Sequence, residues 1–147
     1  MALNTASEVI SFAKNLEESG RKFYEDLAQR YIEGRETLLS LAKENVRNIV
    51  EIERAYYGVI TDAIEGCFAF NINPDEYIFK TELAENASYS DALDSAAEME
   101  EKIVRFYSDA AEQSQSLMAD IPRAFRMVIK KRSSRRPKLE SLLGKEV

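Results

Sequence analysis

Two stretches of this chain carry the same polar and apolar pattern at the same spacing, and that internal match limits the folds open to it. Positions 10, 13, 17, 20, 24 and 27 read Ile, Ala, Glu, Gly, Tyr, Leu, while positions 93, 96, 100, 103, 107 and 110 read Leu, Ala, Glu, Ile, Tyr, Ala. Steps of three and four residues keep side chains on one face of an α-helix. The agreement extends beyond the stripe, with LEESGRKFYEDLA at 16–28 facing MEEKIVRFYSDAA at 99–111, which is closer than a shared helical rhythm requires. A second helical stretch follows each copy, so the chain reads as two helical hairpins made by duplication.

Thr5 with Glu8 has the spacing of a capping box and opens helix A, expected over about 6–32, with Ile10, Ala13, Gly20, Tyr24, Leu27 and Tyr31 turned inward. Gly34 is the expected stop, and Leu38, Leu41, Ile52, Ala55 and Val59 predict helix B over about 36–65. Residues 66–89 break the rhythm. Asn71, Asn73 and Pro74 mark a turn, and Phe68, Phe70, Tyr77 and Phe79 suggest a connector lying against the helices. Ser90 is the expected cap of helix C, over about 90–114, with Leu93, Ala96, Ile103, Tyr107 and Ala110 inward. Asp120 with Pro122 opens helix D, over about 121–143, with Phe125, Val128, Leu139 and Leu142 inward. A connector of this length easily spans a helix of ~40 Å. The expectation is one all-α domain over 1–147, a four-helix bundle with a long crossover.

Composition agrees and also excludes. Five Gly and three Pro in 147 residues favour helices over a turn-rich sandwich or barrel. Cys67 is alone, so no internal disulfide and no Cys-x-x-Cys pair is available, and it is expected to be a small buried hydrophobe. Histidine is absent, which removes Ser-His-Asp and Cys-His catalysis and His-ligated zinc. No stretch approaches the roughly 18 to 20 consecutive apolar residues that span a bilayer, and MALNTASEVISFAKN has no basic flank followed by an apolar run. A cytoplasmic location without a membrane span is expected.

The net charge of -6 is unevenly distributed. From Ile121 onward nine Lys/Arg face two Glu, a net of +7, whereas residues 1–120 carry eleven against twenty-four, a net of -13. A basic helix packed against acidic helices of its own domain accounts for this; grip on a polyanion is the competing explanation.

Each inner stripe is interrupted by polar residues at one level. Glu17 and Glu100 hold the inner positions of A and C, and the continued spacing places Asn45 with Asn48 on B and Arg132 with Arg135 on D. Six polar residues thus converge. Two buried carboxylates repel each other, and two guanidiniums restore neutrality with planar donor forks, leaving Asn45 and Asn48 to fill the remaining hydrogen bonds. The alternative is that the arginines reach solvent from a helix D kinked or shortened by Pro137.

With LEESGRKFY and MEEKIVRFY, each placing a Glu seven residues before a Tyr, and with LLSLAKENVRN between them, the chain resembles the rubrerythrin family over about 6–142. The resemblance implies a ferritin-like bundle and an ancestral non-haem di-iron centre for peroxide reduction or iron oxidation, often in homodimers. Di-iron bundles place a Glu on each of two helices and a Glu-x-x-His pair on each of the other two. Glu17 and Glu100 match the single glutamates and are the residual metal-ligand positions. Asn45, Asn48, Arg132 and Arg135 stand at degenerate ligand positions, where the family has Glu, His, Glu and His. The chain also lacks a Cys-x-x-Cys rubredoxin domain.

The functional expectation is a ferritin-like interaction or assembly protein without catalytic residues, self-associating as a homodimer and holding no cofactor. A weakly iron- or manganese-binding oxidoreductase is the alternative, and anion or nucleic-acid binding through the basic C-terminal helix is a third. Tyr24 and Tyr107 read as core aromatics, in preference to radical or proton-transfer groups. Glu44, Glu51, Glu98 and Glu101 read as a solvated face. In KKRSSRRPK at 130–138, Lys130, Lys131, Arg136 and Lys138 point away from the stripe.

Overall fold

The computed structural model describes residues 2–59, 69–115 and 119–146, with the side chains of all of these except 59 and 143–146. Its elements are α1 (Ala6–Arg30), α2 (Arg35–Val59), α3 (Tyr89–Gln113), α4 (Asp120–Arg132) and α5 (Arg135–Glu146), with one 3₁₀ turn, Pro74–Tyr77. Among the described residues the regular structure is helical, joined by one isolated antiparallel bridge between Leu3 and Ile72. None of these helices is long and apolar enough to cross a membrane.

Local chemistry accounts for most boundaries. The Thr5 side chain accepts from the Glu8 amide while Glu8 reaches back to the amide of Thr5, so the expected capping box forms. Helix α1 ends at Arg30, two residues before the expected limit, and Gly34 turns the chain at φ 74°, a left-handed conformation natural to glycine. The cap of α3 is Ser88 and not Ser90: the Ser88 hydroxyl accepts from the Asp91 amide, with Asp91 completing the box. Serine two residues earlier, with an acid three residues further on, satisfies two free amides where Ser90 would satisfy one. The expected end of helix B beyond Val59, and both Cys67 and Phe68, lie outside the described residues.

The single helix D is corrected to two. Ser133 and Ser134 interrupt it, so Arg132 is the last residue of α4 and Arg135 the first of α5. Pro137 explains the interruption: it has no amide to donate to the carbonyl four residues back, at Ser133, and its ring crowds that same carbonyl.

Helix α1 packs chiefly along α2, α3 packs along both α4 and α5, and α2 also meets α4. The interior is built from the expected stripes, with Ile10, Ala13, Tyr24 and Leu27 of α1 and Leu93, Ala96, Ile103, Tyr107 and Ala110 of α3 buried. The connector lies against the helices through buried Phe70, Ile72 and Tyr77, whose hydroxyl donates to Asp109. Burying whole aromatic and aliphatic side chains, each worth about 1.5 to 3 kcal/mol, fixes the register that brings the polar layer together.

Candidate functional site

Among the described residues seven buried side chains are polar or charged, and six of them are Glu17, Asn45, Asn48, Glu100, Arg132 and Arg135. The sequence spacing brings all six to one level. Glu17 projects from the middle of α1 between Ala13 and Gly20, and Glu100 from the matching turn of α3. Arg132 and Arg135 enter from the two sides of the Ser133–Ser134 break. Both guanidiniums are sealed, with side-chain exposure of 0%, so the arginines do not reach solvent past Pro137.

Arg132 bridges the two glutamates. Its two terminal nitrogens donate at 2.6 Å to Glu17 Oε2 and at 2.6 Å to Glu100 Oε1. Arg135 donates at 2.9 Å to Glu100 Oε2, and through Nε and its other terminal nitrogen to Glu44 Oε1 at 3.0 and 2.8 Å. It also donates to the Leu41 carbonyl and lies 5.8 Å from the centre of the Tyr24 ring. The tyrosines cross over. Tyr24 on α1 donates to Glu100 Oε2 at 2.5 Å, and Tyr107 on α3 donates to Glu17 Oε1 at 2.8 Å. Asn48 donates to Glu17 Oε1 at 3.4 Å, and Asn45 to the Glu17 backbone carbonyl at 3.1 Å.

Burial alone would disfavour every charge here, and the pairing reverses that. Burial pushes the Glu100 carboxyl up, but the charges of Arg132 and Arg135 and the Tyr24 hydrogen bond outweigh it and hold the group below the ordinary carboxylate range. Arg132 is likewise disfavoured by burial and more than restored by Glu100 and Glu17. Burial, then the adjacent carboxylate, raises the phenols: Tyr24 beside Glu100 and Tyr107 beside Glu17. Glu100 and the two arginines are therefore held ionised, with both phenols neutral.

Asn45 explains Gly20, which has Ile103 as its counterpart in the second copy. A Cβ at Gly20 would lie 2.6 Å from Asn45 Nδ2, so the glycine makes room for the amide that caps the Glu17 carbonyl. The polar layer is not closed: Asn45 Oδ1, Asn48 Oδ1 and Arg132 Nε make no hydrogen bond among the described residues.

This donor set does not fit a metal ion. All four oxygens of Glu17 and Glu100 already accept hydrogen bonds, three of them from guanidinium. A divalent cation would face two fixed positive charges, and amide and guanidinium nitrogens supply neither imidazole nor carboxylate. Among the described residues no group of three or more His, Cys, Asp or Glu is placed to hold one.

The other carboxylates divide. Glu44 is corrected from the solvated face to the layer, because it is half-buried and pairs with Arg135. Its signal was available: Glu44 precedes Asn45 and lies on the turn that faces helix D. Glu98 and Glu101 are exposed, and Glu51 is half-buried at 3.6 Å from exposed Arg54. The tyrosine crossover was not anticipated, although the repeated seven-residue spacing from Glu to Tyr carried it. Of the basic run, Lys130, Arg136 and Lys138 are exposed and Lys131 is half-buried. The chain matches no family model, no curated protein and no solved structure.

Proposed function

We propose that the chain is a degenerate ferritin-like bundle of the rubrerythrin kind, in which a Glu-Arg-Tyr-Asn lattice stands where the family holds two metal ions, and that it serves as a non-catalytic interaction or assembly protein. The observation that carries this reading is Arg132 bridging Glu17 and Glu100 at 2.6 Å on both sides. Its guanidinium supplies the positive charge that a metal pair would otherwise bring to those carboxylates. Both phenols are raised and Glu100 is lowered, which moves these three groups away from proton exchange near neutrality. What remains is a charge-paired core under a surface free to bind other molecules.

Elemental analysis of protein expressed with iron and manganese supplied tests the reading. The expected result is colourless protein with far less than one metal ion per chain. Near-stoichiometric metal that disappears in Glu17→Gln or Glu100→Gln overturns it and favours a metal-dependent oxidoreductase.

A further inference from the structure

The outward side of α2 carries large apolar residues in solvent. Leu39, Val46, Val50 and Tyr57 are 39%, 45%, 47% and 64% exposed. At 3.6 residues per turn these four lie within about 20° of one line and run for ~27 Å along the helix. Beside them, on one flank, stand exposed Lys43, Arg47 and Arg54. That flank turns toward α5, whose Lys138 lines a cleft of about 330 Å³ with Glu36 and Ser40. The other flank carries half-buried Glu53, engaged with Lys14 at 3.6 Å.

We infer that this face docks an acidic amphipathic helix of a partner protein, its apolar residues seated on the Leu39–Val46–Val50–Tyr57 row and its carboxylates against Lys43, Arg47 and Arg54. Charge selects this occupant. In a chain of net charge -6 the row of Lys43, Arg47 and Arg54 is a local reversal, offset only at Arg54 by Glu51 at 3.6 Å, and it borders one side of the apolar line. A second copy fits less well. An antiparallel pairing about a twofold near Asn48 matches Leu39 with Tyr57 and Val46 with Val50. The same twofold brings Lys43 beside a second copy's Arg54 and sets the two Arg47 residues close together, and such like-charge contacts oppose association. The apolar row is one residue wide on a helix fixed in the bundle, which suits a single helix laid along it better than insertion into a bilayer. Phosphate backbones have no use for the apolar row and would meet Glu36 at its end. Asn48 points the opposite way around α2, so changes on this face leave the buried layer intact.

The experiment uses the full chain and a labelled synthetic helical peptide with Leu at i, i+7, i+11 and i+18 and Glu on one flank. Fluorescence anisotropy measures binding, with a Lys-for-Glu peptide as the control. The Glu peptide is expected to bind, with added salt weakening it. Val46→Glu and Val50→Glu are each expected to reduce affinity by about tenfold or more. Lys43→Glu with Arg47→Glu should lose the Glu peptide and gain the Lys peptide. Circular dichroism confirms that these surface variants remain folded. No binding, equal binding of both peptides, or affinity unchanged in the variants overturns the proposal. Sedimentation that finds a dimer dissociated by Val46→Glu assigns the face to a second copy instead, and binding to anionic phosphatidylserine vesicles that Val46→Glu abolishes assigns it to lipid. Either result also overturns the proposal.

Discussion

The hydroxyl of Tyr24, on α1, donates to the carboxylate of Glu100, on α3, and not to Glu17 on its own helix. Tyr107 returns the bond to Glu17, so each copy of the repeat completes the other. Both Tyr24→Phe and Tyr107→Phe remove a hydrogen bond to a buried charge, worth about 1.5 to 3 kcal/mol. Tyr107→Phe is expected to cost more. Glu100 keeps two arginines after losing Tyr24, whereas Glu17 keeps one arginine and a 3.4 Å contact from Asn48. Urea unfolding of the two variants checks the order.

Stability should fall at both ends of the pH range, for different residues. The Glu100 carboxyl is held below its ordinary value of 4.5 in the folded chain, so its contribution is complete above that value and drains away as pH falls beneath it. Tyr24 and Tyr107 are raised above 10.0, so the unfolded chain ionises first, and stability declines as pH climbs past 10.0. Glu100→Gln should flatten the acid limb and, by removing the carboxylate that helps raise Tyr24, shrink the alkaline one only in part. Tyr24→Phe with Tyr107→Phe should shrink the alkaline limb. Melting temperature against pH reads both, and identical limbs in all variants would place the pH dependence elsewhere.

Arg132→Met strands the fully buried Glu17 while leaving Arg135 on Glu100, and Arg135→Met strands only the half-buried Glu44 while leaving Arg132 on Glu100. Removing one side of a buried pair costs about 3 to 5 kcal/mol. Arg132→Met is expected within that range, Arg135→Met below it, and Lys131→Met, from a half-buried position, within about 0.5 kcal/mol of the parent. Equal losses at Arg132 and Lys131 would mean that the bridge contributes nothing.

Two glycines should respond in opposite directions. Gly20→Ala pushes Asn45 off the Glu17 carbonyl and is expected to destabilise by about 1 to 3 kcal/mol. Gly58, also helical, has nothing within 4 Å of the added Cβ, and Gly58→Ala should stabilise by about 0.5 to 1 kcal/mol through helix propensity. Thermal melts of both variants decide.

The parts of this architecture legible in the sequence are those governed by periodicity. The stripes through Glu17 and Glu100, the capping box at Thr5 and the convergence of Asn45, Asn48, Arg132 and Arg135 all follow from three- and four-residue steps. What escaped depends on contacts between helices or on competition between equivalent local signals. Ser88 and Ser90 both offer a hydroxyl, and only the acid at position 91 separates them. Pro137 announces a disturbance in helix D, but it places the break four residues upstream, because it has no amide to donate to the Ser133 carbonyl. For Glu44 and the tyrosine crossover the sequence carried the direction but not the partner, because a helical wheel specifies which way a side chain leaves its helix and not which neighbour's atom it meets.

The layer also has a temporal meaning, set by how far apart its members lie along the chain. Tyr24 and Glu100 are 76 residues apart, Tyr107 and Glu17 90, Arg135 and Glu44 91, and Arg132 and Glu17 115. Helices and hairpins assemble from near neighbours, whereas each of these bonds must wait for a long loop to close. These bonds between hairpins are therefore a latch that engages after the two hairpins have met, whereas Arg132 with Glu100, 32 residues apart, joins helices of one hairpin. In Tyr107→Phe, which removes a bond between the hairpins alone, the loss of stability should appear almost wholly as faster unfolding, with the folding limb of the chevron nearly unmoved.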